Sequence, residues 1–173
     1  MNESDADYEA TAEIWTANWP EYPKTAEMYR YSARERQEKS VFGRLVAEDD
    51  GGIVATGYFR EESDNVAEGK FLLYAQVHPE RQGEGTGAAL YEELVASLDG
   101  HGPQILSSFT REDHEVARGF LTRRGFRVSM KEQDSELDLS TWDASRFTDV
   151  EARALESGTD ILSSAALGKI DSA

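Results

Sequence analysis

The run from Phe71 to Leu98 constrains this chain more than any other stretch. It opens on Phe71-Leu72-Leu73-Tyr74-Ala75-Gln76-Val77, too short for a typical helix and too evenly apolar for an exposed strand, so it reads as a buried strand. Pro79 ends that strand. Gln82-Gly83-Glu84-Gly85-Thr86-Gly87 then places three glycines at alternate positions and runs directly into Ala88-Ala89-Leu90-Tyr91-Glu92-Glu93-Leu94-Val95, whose apolar spacing is helical. The order is therefore strand, glycine loop, helix N-terminus. Such a loop leaves several backbone N–H groups aimed at one point where the helix dipole adds positive charge, and a phosphate fits there. The same three glycines are also explained by a tight strand-to-helix turn that needs their dihedral freedom. There is no Gly-Lys-Ser/Thr and no Gly-x-Gly-x-x-Gly, which excludes the two familiar nucleotide loops.

Val77-His78-Pro79-Glu80-Arg81-Gln82-Gly83-Glu84-Gly85-Thr86-Gly87 resembles motif A of the GCN5-related N-acetyltransferases, in which a strand ending V-x-P is followed by (Gln/Arg)-x-x-Gly-x-(Gly/Ala). Gln82, Gly85 and Gly87 occupy the motif's three fixed places. The resemblance implies that the loop from Gln82 through Ala88 holds the pyrophosphate of coenzyme A, with Val77 and His78 beside it, and that the strand's exposed backbone pairs with the pantetheine arm. Glu115 to Phe126 resembles motif B, A-x-x-(Leu/Phe)-Tyr-x-x-x-Gly-Phe, through Ala117, Phe120, Gly125 and Phe126. Two positions depart from it. The tyrosine that commonly protonates the departing thiolate falls at Leu121, and an asparagine often found before the alanine is His114, which takes its place among the expected cofactor contacts.

With 173 residues, 39% of them hydrophobic, the chain is long enough to bury a proper core. No run approaches the ~18 apolar residues of a membrane span, and the first residues lack the basic start and apolar core of a signal peptide, so a cytoplasmic location is expected. The absence of cysteine excludes disulfides and a cysteine nucleophile, which makes any acyl transfer direct from thioester to acceptor. With three histidines and no cysteine, no metal site is expected. A net charge of −16 argues against nucleic acid as a partner, and it either attracts a cationic substrate or simply solvates the surface.

In chain order, Tyr8 to Trp19 suggests a short helix and Thr25 begins a second running to about Lys39. The resemblance makes Trp15, Trp19, Tyr22, Tyr29 and Tyr31 candidates for the acceptor wall, although such aromatics also serve as core. Arg44–Glu48 and Ile53–Phe59 flank Asp49-Asp50-Gly51-Gly52, a hairpin signature. Gln104–Phe109 follows the central helix as a strand, parallel to Phe71–Val77 by the crossover rule. A half-polar edge strand is expected over Arg127–Leu139, a helix over Asp143–Ser157, and a last strand over Thr159–Ser164.

The expected architecture is α/β (α+β): one acetyltransferase-like domain with a mixed, mostly antiparallel sheet, splayed between its fourth and fifth strands and covered by helices on both faces. Residues 1–139 would form its core, and residues 140–173 would either complete the sheet or open a second such unit. The expected activity is transfer of an acyl group, acetyl above all, from acetyl-CoA to a small amine. The alternative is a non-catalytic coenzyme A-binding module, which Leu121 favours. A thioester oxyanion would be polarised by backbone amides near Gln76 and Val77, and Tyr74 and Glu68 are the side-chain candidates for proton transfer. Oligomeric state is left open, a homodimer included.

Overall fold

In the computed structural model, residues 4–36, 41–62, 69–159 and 161–163 are described. The chain divides into two compact units, residues 1–127 and 128–173.

Helix α1 (Asp5–Asn18) begins three residues earlier than Tyr8 because of a reciprocal cap. Ser4 N–H donates to Asp7 Oδ2 at 2.7 Å and Asp7 N–H donates to Ser4 Oγ at 3.2 Å, which satisfies two otherwise orphaned donors. The linker after it folds back on the helix, where Trp15 Nε1 donates to the Tyr22 carbonyl at 2.7 Å. Helix α2 (Ala26–Arg34) starts at the expected Thr25, whose hydroxyl accepts from Met28 N–H. It ends at Arg34 rather than near Lys39, and residues 37–40 lie outside those described.

Strands β1 (Phe42–Asp49) and β2 (Gly52–Glu61) form the expected hairpin, closed over Asp50 and Gly51 with Asp49 Oδ1 accepting from Gly51 N–H at 2.8 Å. Strand β3 (Lys70–Val77) pairs antiparallel with β2, and the short β4 (Ile105–Ser107) pairs parallel with β3, giving the order β1-β2-β3-β4. Helix α3 (Thr86–Ala96) makes the crossover between β3 and β4, and α4 (Glu115–Arg123) follows. The pairing of β3 with β4 covers only Lys70↔Ile105 to Leu72↔Ser107, so the last five residues of β3 run on beyond this ladder with no partner strand on that side among the described residues. This is the splay expected between these two strands.

Strand periodicity divides the side chains between two layers. Phe71 and Leu73 on β3 and Ala55 and Phe59 on β2 pack with Leu90, Leu94 and Leu98 of the α3 segment into a buried core. Gly57 lies on the same face, and a Cβ there would meet Leu94 Cδ1 at 2.6 Å and the Tyr74 carbonyl at 2.9 Å, so the absence of a side chain is what lets α3 approach the sheet. The opposite face carries Thr56, Tyr74 and Gln76, and α1 covers it through Thr11, Trp15 and Trp19. Helix α4 ends in a left-handed cap at Gly125: Gly125 N–H donates to Thr122 O and Phe126 N–H to Leu121 O. Phe120 and Phe126 both meet the ring of Tyr91 edge-on, which fastens α4 to α3.

The second unit has little regular structure. Val128–Leu139 forms no strand, contrary to the edge strand expected over Arg127–Leu139. Alternation of side chains is only half of what a strand needs, since its N–H and C=O groups must also find a ladder, and none forms along these residues. The expected helix over 143–157 is broken into a 3-10 turn at Ala144–Phe147, with the Asp143 side chain accepting from Ser145 N–H, and α5 (Val150–Glu156). Ile161–Ser163 is not in a strand, while Asp160 and Ser164 lie outside the described residues. No helix among the described residues is long and apolar enough to cross a membrane.

Leu94 is fully buried against Gly57. Leu94→Ala is expected to cost about 2–5 kcal/mol by leaving a cavity, and Gly57→Val to cost at least as much by forcing α3 off the sheet; urea denaturation of both variants measures this.

Candidate active site

An antiparallel ladder sends alternate residues' N–H and C=O groups to opposite edges of a strand, and two bonds establish which residues of β3 face which way. His78 N–H donates to Val54 O and Glu62 N–H to Lys70 O, both at 2.9 Å. Even-numbered residues of β3 thus turn their backbone groups toward β2. Odd-numbered ones turn toward the other edge: Gly69 O accepts from the Gln104 and Ile105 amides, and Phe71 O from Ser107 Oγ. Beyond the pair Leu72↔Ser107 that edge has no partner strand among the described residues, which leaves Ala75 and Val77 presenting it.

This corrects one expectation. The Gln76 amide, expected to polarise a thioester, belongs to the β2 ladder opposite Thr56 and is not available at the open edge. Ala75 takes its place beside Val77. The sequence by itself does not reveal which parity of a strand pairs with the preceding hairpin, so no signal distinguished Ala75 from Gln76. Val77 offers only half of its peptide group there, because its carbonyl already accepts from Asn18 Nδ2 at 3.1 Å and Gln82 Nε2 at 3.2 Å. Gln82 Nε2 also reaches Asn18 Oδ1 at 3.2 Å, so the end of α1, the end of β3 and the glycine loop are tied at one point. Asn18 is 59 residues from Val77 in sequence, and nothing local marked it.

The loop has a distinct backbone geometry. Gly83 and Gly85 both adopt left-handed backbone conformations, at φ 86° and 91°, and Gly85 is the N-cap of α3 with no side-chain cap. The N–H groups of Gly83, Glu84, Gly85, Thr86 and Gly87 have no hydrogen-bond partner among the described residues. Ala88 differs from them, since its N–H closes the first turn onto Gly85 O at 2.9 Å. Five consecutive free amides at the N-terminus of an 11-residue helix make a site for an anion. His78 serves the turn before the loop, its Nδ1 accepting from Glu80 N–H at 3.4 Å. Arg81 is held by Asp49 and Glu84, so the Glu84 carboxylate is ion-paired beside the loop. His114 is the N-cap residue of α4.

Tyr74 sits on the α1 face in an aromatic group. Its hydroxyl accepts from Trp19 Nε1 at 2.8 Å and donates to Gln76 Oε1 at 3.4 Å. Its ring lies 5.7 Å from Trp15, 5.9 Å from Tyr58 and 4.4 Å from Phe109. Burial pushes the Tyr74 phenol up to about 12, a rise the Trp19 hydrogen bond only partly offsets, so it stays protonated across the neutral range and donates rather than acting as a base. Of the expected acceptor wall, Trp15 and Trp19 stack on each other at 5.6 Å, Tyr29 lies near the Lys24 ammonium, and Tyr22 and Tyr31 are exposed. Lys24 Nζ sits 3.3 Å over the Trp15 ring, and burial lowers its pKa. Glu68 lies outside the described residues. Glu62, at the mouth of the strand, pairs with Lys70 at 2.9 Å and accepts from Ser107 Oγ at 2.9 Å. Burial raises its pKa, and these partners more than reverse that.

The site therefore consists of a splayed β3–β4 edge leading into a left-handed glycine loop and the N-terminus of α3. The profile of the Acetyltransferase (GNAT) family matches residues 8–126, and the chain belongs to that family. Solved structures share the fold. A transcriptional regulator from Bacillus halodurans C-125 superposes with a TM-score of 0.63 at 14% identity, over 78% of this chain and 95% of that one. The ribosomal-protein-S18-alanine N-acetyltransferase from Escherichia coli gives 0.57 at 20% identity, over 73% and 76%. The Salmonella typhimurium protein yncA, solved with its cofactor acetyl-CoA, gives 0.59 at 20% identity, over 80% and 84%. No curated protein matches the chain in sequence.

A Cβ on Gly87 would lie 3.2 Å from the Val77 side chain, and any larger residue at Gly85 is strained by its φ of 91°. Gly87→Val and Gly85→Val are expected to remain folded while losing the thermal stabilisation that coenzyme A confers on the unaltered protein. A thermal-shift titration reads this directly, and undiminished stabilisation of a folded Gly87→Val protein would sink the cradle assignment.

Proposed function

We propose that this chain is an acetyl-CoA-dependent N-acetyltransferase that acetylates a small amine by direct attack. The observation that carries the reading is the continuity of the free amides Gly83 to Gly87 with the unpartnered odd-numbered edge of β3. The amides suit a pyrophosphate, and the edge suits the amide groups of a pantetheine arm, which would add as a strand adds to a sheet. When bound, acetyl-CoA supplies a thioester carbon that an amine nitrogen can attack, with the C–S bond breaking and the thiolate taking up a proton.

The chain's own contribution is positioning and polarisation. The Ala75 N–H, on the open edge and next to the α1 face, is the donor placed to stabilise charge on a thioester oxygen; such donors are typically worth about 10²–10³ in rate. Asn18 and Gln82 hold the Val77 peptide in place, which preserves the angle between the edge and the loop. Leu121 has no proton to give, so the thiolate is protonated by solvent or by a neighbouring hydroxyl, for which Tyr74 is the protonated candidate. Leu121 also favours the second reading, a coenzyme A-binding module without turnover.

Because the chain has no cysteine, a thiol-reactive dye reports only released coenzyme A. Acetyl-CoA incubated with a panel of neutral and cationic amines is expected to release thiol with at least one of them. Tight binding of coenzyme A with no release across the panel would establish the silent-module reading instead. On the working substrate, Tyr74→Phe is expected to lower kcat without altering the pH profile between about 6 and 9, since a phenol with a pKa near 12 does not ionise there. Loss of an inflection in that range would assign Tyr74 a titrating role.

A further inference from the structure

Once β4 has parted from β3 at Ser107, the chain does not simply leave the sheet. Two residues on, the Phe109 ring lies parallel to that of Tyr74, with centroids 4.4 Å apart and planes within 7°. Trp19 flanks the pair, 6.3 Å from Phe109 and hydrogen-bonded to the Tyr74 hydroxyl. Tyr74 is therefore a fixed plate: it is buried, its hydroxyl is held at 2.8 Å, and Trp15 and Tyr58 border its ring. Phe109 is the accessible partner, 40% exposed and carried on a stretch that pairs with no strand.

The stack roofs the gap on the α1 side, next to the Ala75 amide. Rings in contact at this separation leave no space between them for a methylene group. We propose that Phe109 is a specificity-determining residue that closes the acyl end of the β3–β4 gap against the fixed Tyr74 plate and so restricts the chain to short acyl groups, acetyl first. The inference rests on the reading that an acyl-CoA thioester lies along this edge. A chain longer than acetyl has to break the stack and expose both rings, and misfit of a single methylene in an apolar pocket costs about 10–200-fold in discrimination.

Calorimetric titration tests this without knowledge of the acceptor. Coenzyme A, acetyl-CoA, butyryl-CoA and hexanoyl-CoA are titrated into the unaltered protein, Phe109→Ala and Phe109→Leu. Coenzyme A itself is expected to bind all three within about twofold, because the cradle is untouched, while the preference for acetyl-CoA over butyryl-CoA falls by about tenfold or more in Phe109→Ala and by less in Phe109→Leu. An unchanged acetyl-to-butyryl ratio in a Phe109→Ala protein that still binds coenzyme A would overturn the assignment of Phe109 while leaving the cradle intact. Should Phe109→Ala fail to fold, the same ratio in Phe109→Leu decides the question. Failure of the unaltered protein to bind coenzyme A would instead overturn the reading on which the inference stands.

Discussion

A β-strand has two hydrogen-bonding edges, and in β3 one is used throughout while the other is used for only three residues. The even-numbered backbone groups are consumed by β2. The odd-numbered groups meet β4 only where Lys70–Leu72 pair with Ile105–Ser107, then face no strand among the described residues, and that open edge runs straight into the left-handed glycines and free amides that begin α3. Unpaired peptide groups are costly when buried and useful when a ligand can reach them. Here they lie in a line, an extended edge followed by the free amides of the glycine loop. The hairpin, the crossover helix and the knot of Asn18, Val77 and Gln82 all act to keep that line in place.

The two layers on the sheet divide the work. The α3 side is a hydrocarbon core in which Leu94 and Gly57 interlock, and its task is to fix the direction of the helix whose N-terminus forms the cradle. The α1 side is aromatic and hydrogen-bonded, with Trp15, Trp19, Tyr58, Tyr74 and Phe109 arranged beside the open edge. Rings with polar tips pack as apolar surface while their N–H and O–H groups are satisfied within the layer, as those of Trp15, Trp19 and Tyr74 are.

Charge behaves differently at the surface and at the site. Of the net −16, much lies on exposed carboxylates, and several arginines answer two or three of them at once, as Arg30 does with Asp5, Glu9 and Glu27. Exposed pairs of this kind contribute little stability. Beside the candidate site Glu62 pairs with Lys70, Arg81 is shared between Glu84 and Asp49, and Lys24 rests on an indole ring with no carboxylate partner among the described residues. Glu62, paired with Lys70, is therefore not a free contributor to any attraction of a cationic substrate by the net negative charge.

The strand, the glycine loop and the helix after it were legible in sequence because each rests on local chemistry: apolar continuity, the left-handed φ that glycine accepts, and 3.6-residue spacing. The hairpin at Asp50-Gly51 and the cap at Gly125 were legible for the same reason. Sequence pattern also suggested a strand over Arg127–Leu139, and there it failed, since alternation does not supply a neighbour to bond to. Tertiary structure alone decided which edge of β3 stays open, and hence that Ala75 rather than Gln76 faces it, because edge parity depends on how a separate hairpin docks. It alone brought Asn18 to Val77 and Phe109 to Tyr74. Those contacts join residues 59 and 35 positions apart, and no local propensity encodes a meeting at that distance.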